Sequence, residues 1–95
     1  MSAYLIYDVD IHDPGPYGKF MEQVKPLVES FGGRYLARGG PHEVLEGTWE
    51  PTRIVLFEFP DMDTARRLFD SDEYAPLKQL RQSCSTGNVV IVQGL

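Results

Sequence analysis

With 95 residues, 42% of them apolar and 24% charged, the chain has the make-up of one ordinary globular domain, near the size at which oligomerisation commonly supplements a marginal core. Fourteen acidic against nine basic residues give a net charge of −5, which opposes the clustered Lys and Arg that a nucleic-acid backbone demands. The single cysteine, Cys84, excludes an intrachain disulfide and a multi-thiolate metal site; no stretch approaches a membrane span or a secretory leader, so a soluble, cytoplasmic protein is expected.

The run Ala3–Val9 is rich in aromatic and β-branched residues and predicts a strand, with Leu5, Tyr7 and Val9 on one face and Tyr4, Ile6 and Asp8 on the other. His12–Pro16 stops it, since two prolines and a glycine in five residues suit a turn and the start of a helix. Tyr17, Phe20, Val24, Leu27, Val28 and Phe31 then recur at spacings of three and four, one stripe of an amphipathic helix that Gly32-Gly33 ends. Pro26 lies inside this helix and removes one backbone hydrogen bond, so a kink or a second helix start is expected there.

Arg34–Arg38 predicts a second strand, interrupted at Gly39-Gly40-Pro41 and resumed over His42–Glu46 beyond a bulge. Gly47–Thr52, with Trp49 and Pro51, reads as a hairpin connection into Arg53–Phe59, the strongest strand in the chain, which Pro60 closes. Asp61 caps a helix whose buried stripe is Met62, Ala65, Leu68 and Phe69. Ser71 offers a fresh cap before Tyr74, Leu77, Leu80 and Cys84, so this region breaks into two pieces near Ser71, ends at Gly87 and leads into a last strand, Val89–Val92.

The order β-α-β-β-α-β is that of the ferredoxin-like α+β fold, an antiparallel sheet with its helices on one side. In the strongest strand Val55, Phe57 and Phe59 face one way, while Ile54, Leu56 and Glu58 face the other. Two helices cover only one face, so the second apolar set calls for another sheet, and a second copy of the chain is the natural source. At about 25 cal/mol per Å² of apolar surface, an interface of about 800 Å² per partner supplies a large gross driving force before association costs. A homodimer is expected.

Phe31–Gly40, Leu45–Arg53, Glu58-Phe59-Pro60, and Ser71–Tyr74 with Leu77 and Arg81 together resemble the domain of unknown function 1330 family along nearly the whole chain. The resemblance implies the dimeric α+β barrel superfamily, whose members include cofactor-independent monooxygenases, isomerases and haem enzymes. It carries architecture and no particular reaction.

Glu58 interrupts an apolar strand, and a carboxylate there needs a partner. Arg38 and Arg53 are the expected ones: either pairs with it across strands or binds a carboxylate ligand, in which case Glu58 is the candidate base and an arginine the anion clamp. The alternative is a salt bridge, inter-strand or intersubunit, that sets register. Tyr17 hangs over the sheet edge or packs in the helix stripe, and Ser71 lines a ligand site or caps its helix. Tyr74 and Arg81 approach a pocket rim, or supply packing and a surface ion pair.

His42, with Glu46 and Trp49 near it, is a candidate general base or a solvated loop histidine. Asp8, Asp10 and His12 alternate on one strand face in a metal-compatible set, although polar strand ends have the same pattern, and no metal is assigned. No Ser-His-Asp spacing, phosphate loop or nucleophile elbow is present, and no cofactor is expected. The leading expectation is a homodimer with a pocket for a small carboxylate or phenol, built from Arg38, Arg53 and Glu58 beside Leu36, Ile54, Leu56 and Trp49, and capable of cofactor-independent acid-base chemistry. Its rival is a non-catalytic assembly or regulatory module whose polar residues only organise the dimer.

Overall fold

A computed structural model describes residues 1–95. Alternation governs the first strand, β1 (Ala3–Ile11): Ala3, Leu5, Tyr7 and Val9 are buried while the residues between them are only half covered. It runs two residues past Val9 because Asp10 and Ile11 still pair with Thr86 and Ser85. Helix α1 (Pro14–Ser30) starts earlier than its stripe requires, with Asp13 as cap accepting from the Gly15 amide at 3.3 Å and Pro14 in the first turn, where its missing N–H costs nothing. It buries Tyr17, Phe20, Val24 and Val28 and continues as one helix through Pro26.

Strand β2 (Arg34–Arg38) pairs with β3 (Ile54–Phe59), and its irregularity is not at Gly39-Gly40-Pro41 but inside the strand, between Tyr35 and Ala37. Tyr35 pairs with Phe57 and Arg38 with Val55, so one extra residue is accommodated. That shift of one turns Arg38 onto the same face as Tyr35. His42–Glu46 form no strand, contrary to expectation: residues 39–50 are exposed and irregular. The connection is held instead by Asp8, whose carboxylate accepts from the Trp49 indole and the Thr52 amide, both at 2.9 Å.

The second helical region is broken as its two caps suggest, into α2 (Met62–Phe69) and α3 (Ala75–Cys84). Asp61 caps α2 by accepting from the Thr64 amide at 2.7 Å, and the Ser71 hydroxyl accepts from the Tyr74 amide at 3.1 Å. Strand β4 (Ser85–Gln93) follows α3 with no loop, four residues before the predicted Val89. Gly87 is therefore no helix stop. It sits opposite Val9 in the ladder, where a Cβ would strike the Asp8 carbonyl.

The four strands form one antiparallel sheet in the order β2-β3-β1-β4, the ferredoxin-like arrangement. Fifteen buried side chains, among them Tyr7, Phe20, Phe57 and Leu68, make one cluster between this sheet and the helices. The opposite face has no such cover. Ile6, Ile54 and Leu56 are half-buried there, and Leu36, Val90 and Val92 remain 46%, 56% and 46% exposed. No helix is long and apolar enough to cross a membrane.

Candidate functional site

The helix-covered face of the sheet carries a cleft at its β2–β3 end. Tyr7 of β1 and Val55 and Phe57 of β3 form its floor; Tyr17, Phe20 and Met21 of α1 form one wall; Tyr35, Arg38 and Arg53 close the other side. Measured by where the centre of a water can stand, the free space is about 10 Å³, room for about one water. A ligand with a ring enters only if side chains move.

Each wall residue has a local cause. The β2 bulge aims Arg38 along the Tyr35 ring, with the guanidinium carbon 4.6 Å from the ring centroid. Arg53 precedes β3 in the same parity as Val55 and Phe57, so it points to the helix side, 5.6 Å from the Tyr17 centroid. Its nitrogens approach the Tyr17 hydroxyl and the Met21 sulfur, each at 3.5 Å. Gly39 permits this position: its φ is +71°, and a Cβ there would collide with the Arg53 guanidinium.

No carboxylate answers these cations. The two ion pairs of the chain are Arg34–Glu58 and Arg66–Asp70, and neither involves Arg38 or Arg53. Burial pushes the Tyr17 and Tyr35 phenols up, against the pull of Arg53 and Arg38, and lifts Tyr7 well above its usual range. All three therefore stay protonated at neutral pH and offer O–H groups. The arrangement is an aromatic slot with cationic donors at its mouth, suited to a planar anion and poor in bases.

The structure divides the expected polar set between the two faces. Glu58 does not meet Arg38 or Arg53: it lies on the uncovered face and takes Arg34, with Nη2 2.6 Å from Oε1. The hydrogen bond from Arg34 holds its carboxyl below the usual range, against a smaller desolvation effect. Leu56, Ile54 and Trp49 share that far side, so they line no cleft with the two arginines.

His42 is exposed and adjoins a shallow hollow formed by Trp49, Ile54 and its own loop, remote from the cleft tyrosines. Tyr17 is both packed and a cleft wall, at 2% exposure. Ser71 is spent on the turn before α3. Tyr74 is not at a rim; it is 1% exposed and shares a 2.8 Å hydroxyl contact with Tyr7. Arg81 forms no surface ion pair and is 4% exposed. Asp8 is occupied by the loop, its carboxyl slightly desolvated yet drawn below the usual range by the Trp49 and backbone hydrogen bonds, and His12 contacts Thr86 at 2.7 Å.

A larger hollow, about 250 Å³, lies between α2 and β4, but its charged residues, Arg66 and Asp70, are closed on each other at 2.9 Å. It offers no free polar group to orient a ligand.

The sequence matches the domain of unknown function 1330 family over residues 2–95. The chain belongs to that family. No curated protein matches the sequence. Among solved structures, this family member resembles a protein of unknown function from Rhodopseudomonas palustris, with a TM-score of 0.80 and 14% identity over 99% of this chain and 82% of that one. A dimeric ferredoxin-like protein of unknown function from Jannaschia gives a TM-score of 0.65 at 12% identity, covering 99% and 100% of the two chains. SnoaB, a cofactor-independent oxygenase from Streptomyces nogalater, gives 0.59 at 16% identity, covering 99% and 93%. These likenesses establish the fold that the family member shares.

Of the residues that line the cleft, the sequence reading named Tyr17, Arg38 and Arg53 as site residues and missed Tyr7, Phe20, Met21, Tyr35, Val55 and Phe57, and on the far face it missed Arg34. Parity was available for Tyr7, which shares a face with Leu5 and Val9. For Tyr35 and Arg34, which precede the bulge, the β2–β3 register that sets them opposite Phe57 and Glu58 had to be known.

Proposed function

We propose that this protein works as a one-domain homodimer that binds a small aromatic or phenolic anion in the cleft between α1 and the β2–β3 end of the sheet. The observation that carries the reading is the pair Arg38 and Arg53, two guanidiniums at the mouth of an aromatic slot with no carboxylate against them, in a chain with five more acidic than basic residues. Guanidinium forks match a carboxylate in two parallel hydrogen bonds, and the tyrosine and phenylalanine faces accept a ring. The uncovered apolar face, and the dimeric Jannaschia neighbour, support self-association through that face. The likeness to SnoaB supports small-molecule chemistry without a cofactor on this scaffold; at 16% identity it does not select the reaction. Glu58 pairs with Arg34 on the far face and does not line this cleft, whose proton-bearing groups are the tyrosine hydroxyls.

A thermal-shift series with benzoate, 4-hydroxybenzoate and uncharged benzamide tests the reading. The two acids raise the melting temperature of the wild type, benzamide does not, and Arg53→Ala reduces the response at equal ligand concentration. If the amide acts as well as the acids, or none acts, the cleft is not an anion site.

A second reading, a non-catalytic assembly module, draws on one observation: the Glu58–Arg34 pair is already satisfied and the cleft holds no more than about one water. It predicts no ligand response and a dimer whose strength depends on Arg34 and Glu58.

A further inference from the structure

Arg81 is the one charged side chain in the core, and its Nε is buried with no hydrogen-bond partner. It comes from α3, and its guanidinium carbon lies 5.3 Å from the centroid of the Tyr7 ring, the same ring that floors the cleft. A guanidinium keeps its charge throughout the pH range in which proteins fold, and a buried charge without a counter-ion is costly.

A second unfilled donor stands beside it. The hydroxyls of Tyr7 and Tyr74 are 2.8 Å apart, so one donates to the other, and the accepting hydroxyl still carries a proton for which no protein acceptor is present. Burial, then the neighbouring Tyr74, hold the Tyr7 phenol protonated despite Arg81. Behind the Tyr7 ring, next to the nine residues that line the cleft, a cationic N–H therefore stands beside a free phenolic O–H with no carboxylate against either. A water would accept one bond but would leave the guanidinium charge unmatched; an anionic oxygen does both.

We propose that Arg81, Tyr7 and Tyr74 form an inner oxyanion subsite, which takes the ionised oxygen of a small phenol or enol whose ring lies among Tyr17, Phe20 and Phe57. The proposal rests on the reading of the cleft as a ligand site and narrows its ligand class. The ring is admitted when Met21, unbranched and half-buried, and the Arg53 guanidinium that touches its sulfur swing outward. Arg81 meets the face of the Tyr7 ring and not its hydroxyl, so burial prevails there; a ligand oxygen that accepts directly from Arg81 and from the hydroxyl gains what Tyr7 lacks, and a bound phenol is a stronger acid than the same phenol in water.

The test uses 4-nitrophenol, whose ionised form is yellow, and benzoate, which has no phenolic oxygen. Both are titrated into the intact protein at a pH where free 4-nitrophenol is mostly the colourless neutral form. The wild type develops the yellow band on binding. Arg81→Met, which replaces the lone buried charge by an apolar chain of similar length, binds the probe about 10- to 100-fold more weakly and leaves it colourless, as expected for one lost charge-assisted contact. Tyr74→Phe keeps the ring packing and weakens the yellow band, which preserves the test should Arg81→Met not fold. Benzoate, whose carboxylate meets Arg38 and Arg53, loses less affinity than 4-nitrophenol does in both variants. If the wild type binds 4-nitrophenol in its colourless form, or if both variants ionise it as the wild type does, the inner subsite is wrong even while benzoate still binds. If neither probe binds the wild type, the cleft reading fails and the subsite with it.

Discussion

Arg53 and Glu58 stand on opposite faces of the same sheet: Arg53 shares the helix side with Val55 and Phe57, and Glu58 is held on the other side by Arg34 at 2.6 Å. In the proposed function this separation makes the two ends of the β3 segment independent. Glu58→Gln leaves binding of a small carboxylate unchanged, whereas Arg53→Ala or Arg38→Ala weakens it about 10- to 100-fold, the loss expected for a charge-assisted hydrogen bond. Isothermal titration of benzoate against the three variants measures this. Equal losses in Glu58→Gln and Arg53→Ala would place both residues in one site and contradict the structure.

The uncovered face predicts an assembly. A charge placed at its centre, as in Leu56→Lys or Val90→Lys, converts the proposed dimer to a monomer without opening the core, because neither side chain belongs to the buried cluster. Light scattering at micromolar concentration reads the mass. Dimers that persist in both variants place the interface elsewhere.

How far these features were legible beforehand depended on parity. Strand β3 alternates without interruption, so Arg53 and Glu58 were separable by counting alone: their separation of five puts them on opposite faces, and the expectation that they pair overlooked this. Strand β2 was different. Its bulge between Tyr35 and Ala37 reverses the facing of everything after it, and no glycine or proline marks that spot. Arg38 thus reaches the cleft by a backbone irregularity that the side chains Arg34–Arg38 do not announce. Helix stripes were easier, since Tyr17, Phe20, Val24 and Val28 are buried at their stated spacing. Gly87 misled because a glycine that ends a helix and a glycine that lets two strands approach are the same letter. Arg81 lies on the α3 stripe, four residues after Leu77 and three before Cys84, so its burial was open to counting; the reading that gave it a pocket rim or a surface ion pair followed the rarity of a buried arginine.

The hydroxyl pair in the core predicts a non-additive pair of mutations. Tyr7→Phe or Tyr74→Phe alone costs about 1–3 kcal/mol, since each leaves a buried hydroxyl without its partner, while the double variant costs less than the sum of the two. Urea unfolding of the four proteins gives the cycle. Strict additivity would show that the two hydroxyls do not bond.

Acid sensitivity follows from three carboxyls held below their ordinary values of 3.8 for Asp and 4.5 for Glu: Asp8, Glu58 and Asp61. Because folding lowers these values, the stability they contribute is complete above the unfolded values and is lost as pH falls through the folded ones. The urea midpoint therefore declines on the acid side of these values, and Asp8→Ala removes part of the decline. The same variant releases the loop over residues 39–53, which Trp49, the sole tryptophan, reports as a change in fluorescence at neutral pH. Unchanged fluorescence would mean that Asp8 does not hold the loop.

The central claim is that the slot beneath α1 is an anion site. Amide and arginine side-chain NMR resonances of the uniformly labelled protein, followed during a benzoate titration, test it most directly. The account predicts saturable shifts at Arg53 Nε, Arg38 Nε, Tyr17 and Tyr35, with Glu58 and Val90 on the far face unmoved. Shifts that gather on the far face, or that never saturate, would contradict it.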